Sequence, residues 1–170
     1  VAERWEAMTR TPIYQGYGLT ETSPVVSLVP FHRNKRESIG TPVPGTDIRI
    51  VDADLHDVAP GAPGELLVKG PQVMRGYWQR PDETARVLRD GWLATGDIAT
   101  VDEDGYVYIV DRKKDMILVS GFNVYPNEVE AVLAAHPGVA EVAVIGTPDE
   151  TAGEIVCGAA SKRSSGNFSK

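Results

Sequence analysis

The sequence predicts a two-part protein with a small antiparallel β-structure followed by an α+β layer. Apolar and polar residues alternate over residues 47–51 and 64–70, with Pro-Gly turns between them, which predicts a small antiparallel sheet or barrel. After residue 115, an apolar strand precedes a helix over residues 126–138 and a further strand over residues 139–146. This alternation of strands with a helix predicts a separate α+β layer.

Composition and charge exclude several classes of protein. The chain has 170 residues and a net charge of −7, which argues against a nucleic-acid binder because phosphate backbones require a basic face. Cys157 is the only cysteine, so an internal disulfide is excluded, and this usage is typical of the reducing cytoplasm. No apolar run reaches the roughly 18 residues that span a bilayer, and no signal peptide is recognisable. Because the sequence begins with Val1 rather than Met, we expect a piece of a longer protein.

The first motif is GYGLTE, in which Gly16 and Gly18 flank Tyr17. Two glycines allow the backbone to bend sharply and to come close to a ligand. Thr20 adds a hydroxyl group and Glu21 a carboxylate. Two interpretations are open: a tight turn in which Thr20 caps a short helix, or a loop that binds a ligand.

The segment that follows is interpreted as structural. Arg33, Lys35 and Arg36 form a basic cluster in a Pro- and Ser-rich loop, and we expect a solvated face there. Farther on, Asp82 is expected to cap a helix that Gly91 ends.

The second motif is GWLATGD, which ends at Asp97. A Thr-Gly-Asp sequence is typical of a turn when it stands alone. Here a hairpin turn at residues 102–105 and a β-rich strand over residues 106–110 follow it, so Asp97 and Arg112 are expected side by side on neighbouring strands. A carboxylate next to a guanidinium group is a suitable pair for the two hydroxyl groups of a sugar.

The third motif contains the charged run DRKKD, residues 111–115, between two apolar strands. The run is too charged for a buried strand, and it is either a polar turn or a hinge between two rigid bodies. Ser120 and Gly121 end the next strand, where a glycine permits close approach of a ligand.

Three blocks, GYGLTE, GWLATGD and VDRKKDMILVSGFNVYPNEVE, together resemble the adenylate-forming enzymes in order and spacing. This family includes acyl-CoA synthetases, firefly-type luciferases and the adenylation domains of peptide synthetases. The resemblance extends from Tyr14 to about Cys157, and it is greatest to bacterial long-chain fatty-acid–CoA ligases.

The resemblance implies a fragment of a fold with an α/β domain, a β-barrel subdomain and a small α+β C-terminal domain. The implied parts are the end of the large N-terminal α/β domain (1–37), the β-barrel subdomain (38–110), the hinge (111–115) and the first half of the α+β C-terminal domain (116–160). A disordered tail (161–170) is expected from composition instead, because its residues are mostly small or basic and lack apolar periodicity.

The resemblance also implies roles for the residues of the first motif. Tyr17, with Gly16 and Gly18 beside it, matches the aromatic residue that packs on the adenine of ATP or AMP. Thr20 matches a catalytic hydroxyl near the α-phosphate. Glu21 matches the catalytic carboxylate that holds Mg²⁺, a hard cation that prefers oxygen ligands.

The resemblance implies roles for residues of the second and third motifs as well. Asp97 matches the carboxylate that binds the ribose diol, and Arg112 matches the second ribose contact. Lys114 matches the hinge residue about which the C-terminal domain rotates. Ser120 and Gly121 match the strand end beside the tunnel for the pantetheine of CoA.

The implied function is the activation of a long-chain fatty acid with ATP, through an acyl-adenylate, to acyl-CoA. The Ser/Thr/Gly-rich phosphate loop and the late catalytic lysine of the family are absent from this sequence, so we predict that the chain alone is inactive. Three alternatives remain: an acyl-AMP ligase that serves a carrier protein, a luciferase-like oxygenase, and a nucleotide-binding remnant without turnover. We expect a cytoplasmic location, with peripheral contact to the inner face of the membrane left open.

Overall fold

The chain divides into two compact units, Val1–Ile109 and Val110–Lys170. The computed structural model describes residues 2–162. Within that range, no helix is long and apolar enough to cross a bilayer. The elements that begin in the first unit are α1 (Ala2–Thr9), β1 (Gly16–Gly18), a 3₁₀ helix (Thr20–Thr22), β2 (Val25–Leu28), β3 (Thr41–Pro42), β4 (Asp47–Val51), β5 (Gly64–Lys69), α2 (Pro81–Val87), β6 (Leu88–Arg89), β7 (Trp92–Val101) and β8 (Val107–Arg112).

The first unit is built on two antiparallel sheets, which agrees with the β-structure predicted from the sequence. Strands β1, β2 and β3 form one sheet; the other has the order β4-β5-β7-β6, and β8 also pairs with β7. Strand β5 is central, and its consecutive residues Leu66, Leu67 and Val68 are all buried because both of its faces are covered. The sheets share a core cluster: Val26, Ile50, Leu66, Val68, Ala99 and Val107. Burial of this apolar surface is the main source of stability for the unit.

The predicted helix at residues 82–91 is present but shorter than expected. Helix α2 has a proline at its first position, and Asp82 lies in its first turn rather than at the cap. Gly91 does not end the helix. Asp90 and Gly91 have φ angles of 52° and 81° and connect β6 to β7 in a tight hairpin, since a two-residue turn of this hand matches the twist of the strands.

The basic cluster at residues 33–36 is ion-paired. Arg33 and Arg36 are exposed, as predicted for a solvated face, whereas Lys35 is half-buried. Lys35 contacts both Asp102, at the turn between β7 and β8, and Asp104. Arg33 also pairs with Asp104, at 2.7 Å. The Lys35 ammonium lies 4.5 Å from the centre of the Tyr106 ring. These contacts fasten the loop to the β7–β8 hairpin.

The pairing of Asp102 predicts a specific pH dependence of stability. Partial burial by itself raises the pKa of Asp102, but hydrogen bonds donated by Lys35, the Tyr106 N–H and Tyr108 bring that pKa down to about 2. A carboxyl group with a lower pKa in the folded state stabilises the fold above its unfolded pKa and loses this contribution as the pH falls toward the folded value. We therefore expect the free energy of unfolding to decrease between about pH 4 and pH 2, and to decrease less in Asp102→Asn. Urea unfolding at stepped pH measures both slopes, and equal slopes would contradict the assignment.

The second unit is an α+β layer, as predicted. Its elements after β8 are β9 (Ile117–Val119), β10 (Phe122–Val124), α3 (Pro126–Ala134), β11 (Val139–Asp149) and β12 (Gly153–Lys162). The sheet order is β10-β9-β12-β11. In β12, Ser161 lies opposite Glu141 and Lys162 opposite Val139. The prediction of a tail from residue 161 was therefore too early by two residues, because the long hairpin continues to pair; the rest of that segment lies outside the described residues.

The start of the charged run DRKKD is strand, contrary to the expectation that it could not be buried. Asp111 and Arg112 are the last residues of β8, and Asp111 is only 4% exposed. Its carboxylate accepts hydrogen bonds from the backbone N–H of Asn127, at 3.0 Å, and from that of Arg112, at 2.7 Å. The first N–H groups of a helix have no partner within the helix, and a carboxylate near that end is favourable. Asp111 therefore caps α3 from a different element.

Candidate functional site

The glycines of GYGLTE lie in and beside a strand, where they allow close contact between strands. A β-carbon on Gly18 would lie 1.7 Å from the carbonyl oxygen of Pro24, and one on Gly16 would lie 2.6 Å from a methyl group of Leu28. Both positions face β2, which pairs with β1. Contact with backbone atoms at the start of β2 explains the need for glycine at position 18, whereas the Leu28 side chain near Gly16 is flexible and can move aside. The predicted contacts of Gly16 and Gly18 with ATP remain predictions.

The loop after β1 is held by a threonine that the sequence analysis did not single out. Leu19 occupies the N-cap position of the 3₁₀ helix, and its side chain makes no capping hydrogen bond. Thr20 is the first residue of that helix, so the interpretation of Thr20 as its cap was wrong. The fully buried Thr22 has this organising role instead. Its hydroxyl accepts a hydrogen bond from the Leu19 N–H at 3.0 Å and donates to the Pro24 carbonyl at 2.7 Å. This arrangement leaves Thr20 exposed and Glu21 half-buried at the edge of the unit.

Tyr17 and Asp97 come together although they are 80 residues apart in sequence. The Tyr17 hydroxyl donates a 2.5 Å hydrogen bond to Oδ2 of Asp97. Asp97 lies in β7 and is 3% exposed. The Thr95 hydroxyl accepts a hydrogen bond from the Asp97 N–H at 3.1 Å and so fixes the backbone there. A carboxylate accepts several hydrogen bonds, so the contact with Tyr17 is compatible with a hydroxyl-bearing ligand beside the aromatic ring.

Glu21 is held by a second tyrosine. The Tyr77 hydroxyl donates a 2.8 Å hydrogen bond to Oε1 of Glu21. This bond raises the pKa of Tyr77 above its ordinary value, and partial burial adds to the effect, so the phenol keeps its proton at neutral pH. Glu21 thus offers carboxylate oxygen, which is the donor type that Mg²⁺ prefers. The chemistry of this group fits a magnesium ion, and the binding of Mg²⁺ remains a prediction.

The predicted site residues of the second unit lie at strand ends and turns. Arg112 is the exposed last residue of β8, and Lys114 is exposed in the turn that follows. Ser120 and Gly121, with φ angles of 49° and 87°, form the turn of the β9–β10 hairpin. Strand β10 was not predicted, since a simple strand end was expected at these two residues. The Ser120 N–H donates a 2.7 Å hydrogen bond to the Ala152 carbonyl, which holds the turn in place.

The structure therefore brings together some of the predicted site residues. Tyr17 and Asp97 are in direct contact, and Glu21 belongs to the loop next to Tyr17. Asp97 and Arg112 belong to different units, and the binding of one sugar by both side chains remains a prediction. Tyr77 was missed because it contacts a residue 56 positions away, and no local pattern marks such a contact.

Two family profiles match the chain. Residues 1–78 match the family described as AMP-binding enzyme, and residues 128–168 match the AMP-binding enzyme C-terminal domain. Together these matches take in more than half of the chain. They include the GYGLTE loop and all but the first two residues of the helix α3.

The similar proteins are several times longer than this chain. A long-chain-fatty-acid–CoA ligase of Yersinia pestis is 64% identical over 157 residues, which are 92% of this chain and 28% of that protein. A feruloyl-CoA synthase of an Amycolatopsis species is 52% identical over 143 residues, 83% of this chain and 29% of that protein. The crystal structure of ATP-bound MatB from Rhodopseudomonas palustris superposes with a TM-score of 0.88 at 36% identity, over 99% of this chain and 34% of that one. The chain thus spans less than a third of the curated relatives that it matches.

Proposed function

The chain belongs to the AMP-binding enzyme family, and on this premise we propose that it is part of an enzyme that converts a long-chain fatty acid, ATP and CoA into acyl-CoA, AMP and pyrophosphate. The observation that carries the proposal is the hydrogen bond between Tyr17 and Asp97. It joins an aromatic ring to a buried carboxylate, and these two groups suit the adenine and the ribose of one nucleoside.

The proposed reaction has two steps. A carboxylate oxygen of the fatty acid attacks the α-phosphorus of ATP, an O–P bond forms, and pyrophosphate leaves with the electrons of the broken P–O bond. The sulfur of CoA then attacks the acyl carbon, AMP leaves, and the thiol proton passes to solvent. Such reactions depend mainly on positioning and on the stabilisation of charge.

The residues of the first unit have distinct tasks in this proposal. Tyr17 packs on adenine, with Gly16 and Gly18 beside it, and Asp97 accepts hydrogen bonds from the ribose hydroxyl groups. Thr20 donates a hydrogen bond to the α-phosphate. Glu21 would hold Mg²⁺, which neutralises phosphate charge when it is bound.

The residues of the second unit are proposed to serve CoA and the change between the two steps. Ser120 and Gly121 form an exposed hairpin turn that suits contact with the pantetheine arm, because Gly121 has no side chain and no other group lies within 4 Å of where its β-carbon would be. Arg112 is proposed as the second ribose contact and Lys114 as the hinge. We further propose that the enzyme works in the cytoplasm, with peripheral contact to the inner face of the membrane, since its fatty-acid substrate partitions into lipid.

The experiment compares this chain with a full-length hybrid enzyme, in which the chain replaces the matching segment of the 64% identical relative. The hybrid enzyme is expected to form palmitoyl-CoA and AMP from palmitate, ATP and CoA, as measured by chromatography. The chain alone is expected to show no ATP–pyrophosphate exchange above background, since it spans 28% of that relative. Exchange by the chain alone, or a hybrid enzyme that binds ATP without forming a thioester, would contradict the proposal.

A second candidate is an adenylate-forming enzyme that uses another acid. The 52% identity to a feruloyl-CoA synthase favours it, because this part of the chain is similar in enzymes named for different acids. A panel of palmitate, octanoate and ferulate, tested on the complete natural enzyme that contains this segment, distinguishes the two candidates. Preference for palmitate supports the first candidate.

A further inference from the structure

We propose that Tyr77 is a positioning residue that orients Glu21 toward magnesium-bound ATP. The Tyr77 hydroxyl binds one carboxylate oxygen of Glu21, Oε1, at 2.8 Å. The other oxygen, Oε2, accepts no hydrogen bond from the residues that the structure describes. The inference rests on the proposed function, because it takes Glu21 as the magnesium ligand.

Tyr77 can orient Glu21 only if the position of Tyr77 is itself fixed. Two sets of contacts fix the segment that contains Tyr77. The backbone N–H of Tyr77 donates to the Thr84 hydroxyl of α2 at 2.9 Å, and that hydroxyl donates to the Arg80 carbonyl at 2.9 Å. Three residues earlier, the Met74 N–H donates to the backbone carbonyl of Glu21 at 2.7 Å. The tyrosine segment is therefore fixed to α2 at one end and to the Glu21 backbone at the other.

The close approach between Tyr77 and α2 also constrains the residue before it. Gly76 has a φ angle of 151°, and a β-carbon there would lie 2.8 Å from the Thr84 methyl group. Glycine at this position lets the tyrosine backbone reach Thr84. The conformation of the segment therefore depends on this contact.

The chemical consequence concerns the flexibility of a glutamate side chain. Three rotatable bonds separate the Glu21 carboxylate from its backbone, and a free side chain samples many rotamers. A hydrogen bond to Oε1 favours the rotamers that keep the carboxylate at the edge of the loop. A metal-binding side chain that is already ordered loses less conformational entropy when the metal binds. The hydroxyl group of Tyr77 is therefore expected to strengthen Mg²⁺-dependent ATP binding without touching the nucleotide.

The test uses Tyr77→Phe in the hybrid enzyme and measures equilibrium binding rather than turnover. ATP affinity is measured by calorimetry over a titration of Mg²⁺, and AMP affinity is measured in the presence of a chelator. We expect Tyr77→Phe to need about tenfold more Mg²⁺ for half of the gain in ATP affinity, the scale of one lost hydrogen bond to a charged group. AMP affinity without Mg²⁺ is expected to stay within about twofold, since Tyr77 acts through Glu21 alone.

A matched control is Tyr108→Phe, because the Tyr108 hydroxyl also donates to a carboxylate, that of Asp102, at 2.9 Å. This variant is expected to leave the Mg²⁺ requirement unchanged. In a Glu21→Gln background, the change Tyr77→Phe is expected to have no further effect on Mg²⁺, because coupled residues are not additive. If Tyr77→Phe loses its near-ultraviolet circular dichroism, Thr84→Val takes its place, with a smaller shift in the same direction.

The outcomes separate this inference from the proposed function. If the two Tyr→Phe variants have the same Mg²⁺ requirement, or if AMP affinity falls as much as ATP affinity, the role of Tyr77 is overturned. A hybrid enzyme that binds Mg²⁺ and ATP but forms no thioester contradicts the proposed function, yet the Tyr77 comparison can still be read. A hybrid enzyme that binds no nucleotide at all overturns both.

Discussion

Replacing Asp97 by Asn in the hybrid enzyme is expected to weaken AMP binding by about a hundredfold. The carboxylate is 3% exposed and is held by the Tyr17 hydroxyl. The proposed ribose diol would donate two hydrogen bonds to it, and each hydrogen bond to a charged group contributes about 1.5–3 kcal/mol. The amide of Asn has nearly the same shape but no charge, and its NH₂ group cannot accept. Isothermal calorimetry with AMP measures the change.

The control for Asp97→Asn is Asp102→Asn, which neutralises a carboxylate that also accepts a hydrogen bond from a tyrosine hydroxyl, that of Tyr108 at 2.9 Å. Asp102 lies outside the proposed nucleotide contacts, so this variant reports the general cost of losing such a charge. AMP affinity in Asp102→Asn is expected to stay within about threefold of the unsubstituted hybrid enzyme. If both variants weaken AMP binding equally, Asp97 has no specific role in binding ribose.

Replacing Gly40 by Ala is expected to reduce the free energy of unfolding of the chain by about 4 kcal/mol or more. Gly40 has a φ angle of 86°, and a β-carbon there would lie 2.0 Å from the backbone carbonyl of Leu28. Its own carbonyl accepts a hydrogen bond from the Val107 N–H at 3.0 Å. Backbone atoms on both sides leave no room for a methyl group. The segments around Leu28, Gly40 and Val107 must therefore separate to admit one. Urea unfolding followed by Trp fluorescence measures the loss.

Gly45→Ala is the matched control for this substitution. Gly45 has almost the same φ angle, 81°, but a β-carbon there would meet nothing within 4 Å. Its expected cost is therefore that of the left-handed backbone alone, about 1 kcal/mol. The difference between the two variants isolates the steric contact at Gly40, and equal losses would refute that contact.

Local pattern predicted several of the regular elements, but not β6, β10 or β12. The alternation over residues 47–51 corresponds to β4, residue for residue, and the predicted helix start at Pro126 is that of α3. These features depend on side chains within one turn or one strand, which the sequence displays directly. Gly91 was misread as the helix end, although an Asp-Gly pair such as Asp90-Gly91 also indicates a tight hairpin.

Contacts between distant parts of the chain could not be predicted in this way. Lys35 meets Asp102 across 67 residues, so the basic cluster looked solvated. Burial of Asp111 was also missed, because one of its two hydrogen-bond donors is the Asn127 N–H of a helix that begins well after it. A charged residue is buried when other elements supply hydrogen bonds to it, and the local sequence does not indicate such distant donors. The same holds for the contact of Tyr77 with Glu21.

The capping of α3 by Asp111 has a consequence for any motion about Lys114. Asp111 precedes Lys114 in the chain and Asn127 follows it, so their hydrogen bond spans the proposed pivot. A turn of the chain at residue 114 would separate a buried carboxylate from the helix end that neutralises it, which is costly. In the proposed enzyme, the arrangement with this hydrogen bond made is therefore expected to be favoured, and a rotation at Lys114 between the two proposed steps would have to break the bond.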